Sequence, residues 1–207
     1  MIKNIILDFG DVFINLDKDV ILREMPKWGG NGITPQLMAL NETYEVGGMS
    51  SEEFVHQLQA IYPKASRVQI TAIWNAMLLD FPDVRLEFIE ALAREKQYRL
   101  FLLSNTNALH IPYVEQIMGT EKYLRFKNCF EQFYLSHEIH LRKPNADIFQ
   151  FVLEENGLRA EETFFVDDTQ ENTKAAAKLG IYTWNLKVGE EDILQLKSKL
   201  KDVLSRT

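Results

Sequence analysis

The sequence predicts an open α/β fold: a parallel sheet with helices on both faces, and a small all-helical segment inserted after the first strand. Three observations carry this expectation. Five short apolar runs lack the polar alternation of half-exposed strands, helical patterns separate them, and one interval between runs is far longer than the rest. The runs are Ile5–Leu7, Arg99–Leu103, Phe130–Leu135, Thr163–Val166 and Ile181–Trp184. Their wealth of Ile, Val, Leu and Phe is what strands buried on both faces require.

In chain order, Ile5–Leu7 opens the sheet and leads directly into Asp8. A parallel crossover needs about a dozen residues, yet the interval that follows spans roughly ninety. Residues 18–80 carry only helical signals, at Val20–Met25, Pro35–Tyr44, Glu52–Ile61 and Val68–Leu79. Ser50 and Glu53 stand in capping-box spacing at the head of the third. Pro82 punctuates the return to the sheet, with hinges near Asn15–Asp17 and Asp80–Pro82. The expected division is an α/β core of residues 1–16 and 82–207, and a helical cap of residues 17–81. Ligands of open α/β sheets bind beyond the carboxyl ends of the strands, so an insertion emerging there acts as a lid. Val84, Phe88, Ala91 and Leu92 mark the buried face of the helix before the second strand. Phe149, Val152 and Leu153 do the same before the fourth, and Asn156-Gly157 stops that helix. Thr169 is placed to cap a helix that runs through Ala175-Ala176-Ala177 to Gly180.

The chain has 207 residues, 46% hydrophobic and 26% charged, enough for a sizeable core and too ordered a balance for a disordered segment. Lys and Arg number 23 against 30 Asp and Glu, a net charge of −7, and no basic stripe offsets it. That excludes a nucleic-acid backbone or an anionic membrane as the main partner. The one cysteine, Cys129, has no partner for a disulfide and reads as a buried small residue in a reducing compartment. Asp8 interrupts the N-terminal apolar stretch before it could form a signal-peptide core, and no run reaches membrane-spanning length. The expectation is a soluble, cytoplasmic chain. Nothing in the sequence speaks to its oligomeric state.

Polar residues follow the strands in a telling pattern. Asp8 follows the first, Ser104-Asn105-Thr106-Asn107 the second, and Asp167-Asp168 the fourth. In a parallel sheet these groups converge on one edge. Carboxylates gathered there repel unless a divalent cation neutralises them, and hard oxygen ligands suit Mg²⁺, which leaves its remaining positions to phosphate and water. Ser104 and Asn105 supply neutral donors, and Lys143 adds a positive charge just before Pro144 at a helix start. A nucleophilic carboxylate, a metal site, a hydroxyl–amide pair and a lysine are the parts for phosphoryl transfer through an aspartyl-phosphate.

These motifs resemble the haloacid dehalogenase (HAD) superfamily across almost the whole chain. Ile6-Leu7-Asp8-Phe9-Gly10-Asp11-Val12 is similar to its first motif, with Asp8 as nucleophile. Leu103-Ser104-Asn105-Thr106-Asn107 is similar to the second, the phosphate-binding hydroxyl and its neighbour. Arg142-Lys143-Pro144 resembles the third, whose lysine holds the phosphoryl group and the nucleophile. Phe165-Val166-Asp167-Asp168 with Asn172 resembles the fourth, with Asp168 a metal ligand beside Asp8. The resemblance implies a Rossmann-like core, a cap between the first two motifs, and Mg²⁺ as cofactor. Asp-Phe-Gly-Asp-Val and Leu-Ser-Asn-Thr-Asn-Ala-Leu-His are similar to the bacterial alpha-D-glucose-1-phosphate phosphatase branch.

One departure matters. Most phosphatases of the family carry an aspartate two residues after the nucleophile, where it protonates the leaving group; here that residue is Gly10. Glycine keeps the backbone carbonyl by which the family binds metal at this position. Asp167 is expected to orient its neighbours and not to bind the metal itself, His140 has no assigned role, and Asn172 is divided between site and structure. Asp11 neighbours the missing acid but should point elsewhere. Trp28, Trp74 and Tyr44 read as cap packing. The expected function is a Mg²⁺-dependent phosphatase for a small phosphorylated metabolite, a sugar phosphate by its branch. The alternatives are a 2-haloacid dehalogenase, or a binding protein of this fold with little or no turnover because of Gly10.

Overall fold

The computed structural model describes residues 1–29 and 33–204. Each apolar run becomes a strand: β1 (Asn4–Leu7), β2 (Arg99–Ser104), β3 (Gln132–Leu135), β4 (Thr163–Asp167) and β5 (Tyr182–Asn185). All pairings are parallel, in the order β3-β2-β1-β4-β5. The central β1 sets Leu7 level with Leu102 of β2 and Val166 of β4. The strand order reverses at β1, which puts a switch point at its carboxyl end.

The strands alternate strictly between two cores. Ile5, Leu7, Leu100, Leu102, Phe164 and Val166 face one layer, while Ile6, Phe101, Leu103 and Phe165 face the other. Helices α1 (Val20–Glu24), α2 (Pro35–Glu45), α3 (Ser51–Ile61) and α4 (Arg67–Asn75) lie in the insertion. Then come α5 (Asp83–Glu95), α6 (His110–Met118), α7 (Thr120–Lys127), α8 (Ser136–Ile139), α9 (Ala146–Glu155), α10 (Gln170–Lys178) and α11 (Leu196–Leu204). Residues of α5, α6, α7 and α11 cover the first face, and those of α9 and α10 the second. The insertion has its own buried cluster, in which Tyr44 stacks on Phe54 at 4.0 Å and Phe54 meets the edge of Trp74 at 4.8 Å. Trp28 packs at its margin.

Several expectations shift. α4 stops at Asn75, not Leu79, because the next residues leave the helix to pair with the outgoing linker. Leu79 N donates to Asn15 O (2.9 Å), Asn15 N to Asp80 O (3.0 Å) and Asp17 N to Met77 O (2.8 Å). The two linkers therefore run side by side, and Arg85 braces them through Phe13 O and the Asn15 side chain. The buried face of α5 is Leu86, Ile89 and Leu92, with Val84 half exposed, so the apolar stripe is displaced from the expected one. Ser50 accepts from Glu53 N at 3.1 Å without the reciprocal bond, whereas Ser66 and Gln69 make the complete box. Thr169 stands at the N-cap of α10, but its hydroxyl does not cap the helix. Gly157 and Gly180 are left-handed, as the helix stops required. Cys129 is half-buried and donates to Arg125 O. Among the described residues, no helix is long and apolar enough to cross a membrane.

The insertion touches the core beyond its linkers as well. Gly47 (φ +68°) packs so closely on the His137 carbonyl that a Cβ there would lie 2.3 Å from its oxygen, and His140 Nδ1 donates to Val46 O at 2.9 Å. His110 Nε2 donates to Trp74 O at 3.2 Å.

Phe126 lies about equally close to Phe13, Phe81 and Phe130, with ring centroids 5.0 Å away in each case. Phe126→Ala should cost about 3–5 kcal/mol of unfolding free energy, read as a fall in denaturation midpoint. Leu124→Ala on the exposed side of the same helix should stay within ~0.5 kcal/mol.

Candidate active site

At the carboxyl edge of the sheet, one buried ammonium organises the polar groups. Lys143 Nζ donates to Asp8 Oδ1, to Asp167 Oδ2 and to Leu103 O, each at 2.7 Å. The lysine is 1% exposed and Asp167 fully buried, so these partners replace its water. Burial alone would lower the Lys143 pKa. The Asp167 and Asp8 carboxylates outweigh it and hold the ammonium above the usual lysine range. Burial pushes Asp8 up to about 7, opposed by Lys143 and reinforced by the Asp167 charge.

Local hydrogen bonds fix each member. The Asn105 amide clamps the Lys143 backbone at both ends, with Nδ2 donating to Lys143 O (2.8 Å) and Oδ1 accepting from Lys143 N (2.9 Å). Asn105, expected on the substrate, thus positions the lysine. Asn172 Nδ2 donates to both oxygens of Asp167 (3.1 and 3.0 Å), and Thr169 N donates to Asp167 Oδ1 (2.8 Å). Those contacts answer what Asp167 and Asn172 do: the pair orients Lys143. Ser104 is buried, and its hydroxyl makes only a long 3.5 Å contact with Asn105 O, which leaves it available to another acceptor. Ser136 bridges Thr106 N and O (2.9 and 3.0 Å) and so shapes the loop after β2.

Asp8, Asp167 and Asp168 each offer a carboxylate oxygen within 4.8 Å of the others. Such hard donors fit Mg²⁺. Both Asp167 oxygens are taken by Lys143, Asn172 and Thr169, so the oxygens best able to hold a cation are Asp8 Oδ2 and Asp168 Oδ1, which no lysine holds. Lys18, unremarked in the sequence, reaches over from the linker to Asp168 Oδ2 (2.5 Å) and Asp11 Oδ2 (2.8 Å). Burial acts to lower its pKa, but these two hydrogen bonds more than offset that. Asp11 (φ +53°) also accepts from Leu16 N at 2.9 Å, so it is turned into the linker and does not take the place of the absent acid. That place is apolar: a Cβ on Gly10 would meet Leu16 Cδ1 at 2.8 Å.

Asp8, Gly10, Asn105, Lys143 and Asp168 line one cavity, which the insertion closes with Glu42, Glu45 and Met77. Ser104 lies in a smaller adjoining pocket that shares Gly10, Asn105, Glu45 and Met77. Glu45 escaped the sequence reading, and Arg142 enters it only as the residue before Lys143 in the third motif, with no role of its own. His140 lies at the contact with Val46, outside the cluster.

A family model described as "Hydrolase: haloacid dehalogenase-like hydrolase" matches residues 2–180. A D-ribitol-5-phosphate phosphatase from Bacteroides thetaiotaomicron is 27% identical over 197 residues, covering 92% of this chain and 95% of its own. A HAD family enzyme from the same organism, solved as a wild-type complex with magnesium and inorganic phosphate, is 35% identical with a TM-score of 0.77. The match covers 92% of this chain and 97% of that one. A predicted HAD-like family hydrolase from Porphyromonas gingivalis has a TM-score of 0.78 at 28% identity, with 98% of both chains covered.

His110 gives this region a pH dependence. Its ring is buried between Trp74 O and Asn107, and burial lowers its pKa to about 4, so it is neutral in the fold. A histidine depressed from 6.5 contributes stability above pH 6.5 that is lost as pH falls toward 4, because the unfolded chain binds the proton first. Melting temperature should therefore drop between pH 6.5 and 4.5 in the wild type, and His110→Gln should flatten that slope. Equal slopes in the two proteins would remove His110 as the cause.

Proposed function

The chain belongs to the haloacid dehalogenase-like hydrolases, and from that premise we propose a Mg²⁺-dependent phosphatase of small phosphorylated metabolites, a sugar or polyol phosphate, working through an aspartyl-phosphate. The observation that carries this reading is the Asp8 carboxylate, backed by Lys143 Nζ at 2.7 Å and flanked by Asp168 at the sheet's switch point. The name of the Bacteroides phosphatase and the magnesium and phosphate in the related enzyme support it.

In this mechanism Asp8, Asp168 and the Gly10 carbonyl would hold Mg²⁺. When bound, the ion supplies positive charge that offsets the oxygens of the phosphoryl group. Asp8 attacks phosphorus, the bond to the leaving oxygen breaks, and water then hydrolyses the acyl phosphate to restore the carboxylate. Lys143 keeps the nucleophile in place and faces the phosphoryl oxygens with its charge. Ser104 Oγ donates a hydrogen bond to one of them. Asp167, Asn172 and Asn105 keep the lysine from moving with the charge it neutralises. Residues 1–16 and 82–207 form the catalytic core, and residues 17–81 the cap over it. Dehalogenase chemistry needs no metal and would leave the carboxylate of Asp168 only its ion pair with Lys18.

Asp8→Asn should keep the fold and lower phosphatase turnover by several orders of magnitude, and a chelator should abolish wild-type activity until Mg²⁺ is restored. Near wild-type turnover in Asp8→Asn would sink the covalent route.

With Leu16 in the space beside Gly10, no carboxyl occupies the position two residues after the nucleophile from which the leaving oxygen would be protonated. A positioned acid is typically worth about 10²–10⁴ in rate. Turnover should therefore rise with leaving-group acidity, with aryl, acyl and anomeric phosphates ahead of primary-alcohol phosphates. Gly10→Asp combined with Leu16→Ala, which clears the clash, should narrow the gap. A flat wild-type dependence under rate-limiting chemistry would mean that another group already supplies the proton.

A further inference from the structure

One turn of the cap's second helix presents two carboxylates to the core residue that precedes the site lysine. Arg142 Nη2 lies 3.1 Å from Glu45 Oε2 and its Nε donates to the same oxygen at 3.2 Å, while Nη1 lies 3.3 Å from Glu42 Oε1. Asn41 Nδ2 donates to Glu45 Oε1 at 3.0 Å. The Glu45 side chain is 16% exposed and Arg142 23%, so the pair is held in a set geometry, unlike a freely solvated ion pair. All three residues line the cavity that contains Asp8 and Lys143.

Resting on the phosphatase reading, we infer that Glu45, Glu42 and Arg142 select the leaving group, and that they select a neutral, polyhydroxylated one. The chemistry follows from what each group can offer. A carboxylate only accepts hydrogen bonds and a guanidinium only donates them, whereas each hydroxyl of a polyol does both. Acceptor and donor set side by side therefore match vicinal hydroxyls. Arg142 and Glu45 balance each other, so Glu42 on this wall and Glu171 elsewhere in the lining leave the cavity with surplus negative charge away from the lysines. A leaving group that ends in its own carboxylate meets repulsion there, and Arg142 cannot turn to it without abandoning two partners. Met77 and Leu16 supply an apolar strip for the carbon chain.

A matched pair of esters tests this selection: erythritol 4-phosphate and 4-phosphoerythronate. Both expel a primary alcohol, and they differ in a terminal hydroxymethyl group against a carboxylate. Wild type should favour the polyol ester by at least about tenfold in kcat/KM. Glu45→Gln should lower that preference severalfold, chiefly by raising KM for the polyol ester, while KM for the acid ester falls. Glu42, with its side chain 54% exposed, tolerates replacement without risk to the fold, so Glu42→Gln provides a second arm with a smaller shift in the same direction. Equal use of both esters by wild type, or an unchanged preference in both variants, overturns the assignment. Absence of wild-type activity even on p-nitrophenyl phosphate overturns instead the phosphatase reading beneath it.

Discussion

The ammonium of Lys143, shut away from water between two aspartates and a carbonyl, is the constraint around which this edge of the molecule is arranged. A buried charge of this kind persists only if every donor finds a partner, and all three do, at 2.7 Å each. The partners come from the residue after β1, from β2 and from the end of β4, so the lysine ties the three central strands together where they stop. Asn105 fixes its backbone and Asn172 fixes its second carboxylate. Removing any one of them would leave a buried polar group unpaired, which is costlier than never having placed it.

That arrangement separates two jobs that a cluster of aspartates could confuse. Asp167 is committed to the lysine, with Asn172 and Thr169 saturating its oxygens. Asp8 and Asp168 keep oxygens toward the cavity. The acidic cluster is thus one internal counter-charge with both oxygens taken and two carboxylates that each keep one oxygen clear of the lysines, and three equivalent donors would be the wrong description.

The fold was legible because its cause is local. Strands buried on both faces need continuous apolar runs, and each of the five runs became a strand within two residues of its expected ends. β2 and β4 run one residue further, into Ser104 and Asp167, since buried polar groups with partners can occupy a strand end that hydropathy would reject. The meeting of Asp8, Asp167 and Asp168 was legible through the parallel topology, while Lys143 was legible through its place before Pro144 and its motif. What escaped was set by contacts between distant parts of the chain: Lys18 with Asp168, 150 positions apart, and Arg142 with Glu45, 97 apart. No local pattern encodes those meetings. Its neighbours in the sequence point Asn105 toward the substrate, whereas both ends of its amide are spent on the Lys143 backbone. The α5 stripe and the end of α4 moved for the same reason, because tertiary packing chose among faces and ends that the sequence left nearly equal.

The close seat of Gly47 on the His137 carbonyl has a kinematic consequence. The paired linkers are one pivot of the helical insertion, and this backbone contact is a second, on the other side of the cavity. Two pivots define an axis, so rigid rotation about the line joining them keeps both intact, while any other swing must lift Gly47 from its seat. A methyl group there would act as a shim, tilting the whole insertion by prising one pivot apart. The contact between His110 and Trp74 O lies apart from both and would serve as the latch. Reaching the cavity would then mean releasing this neutral hydrogen bond together with the ion pairs of Lys18 with Asp168 and of Arg142 with Glu45 and Glu42, with the two pivots left in place.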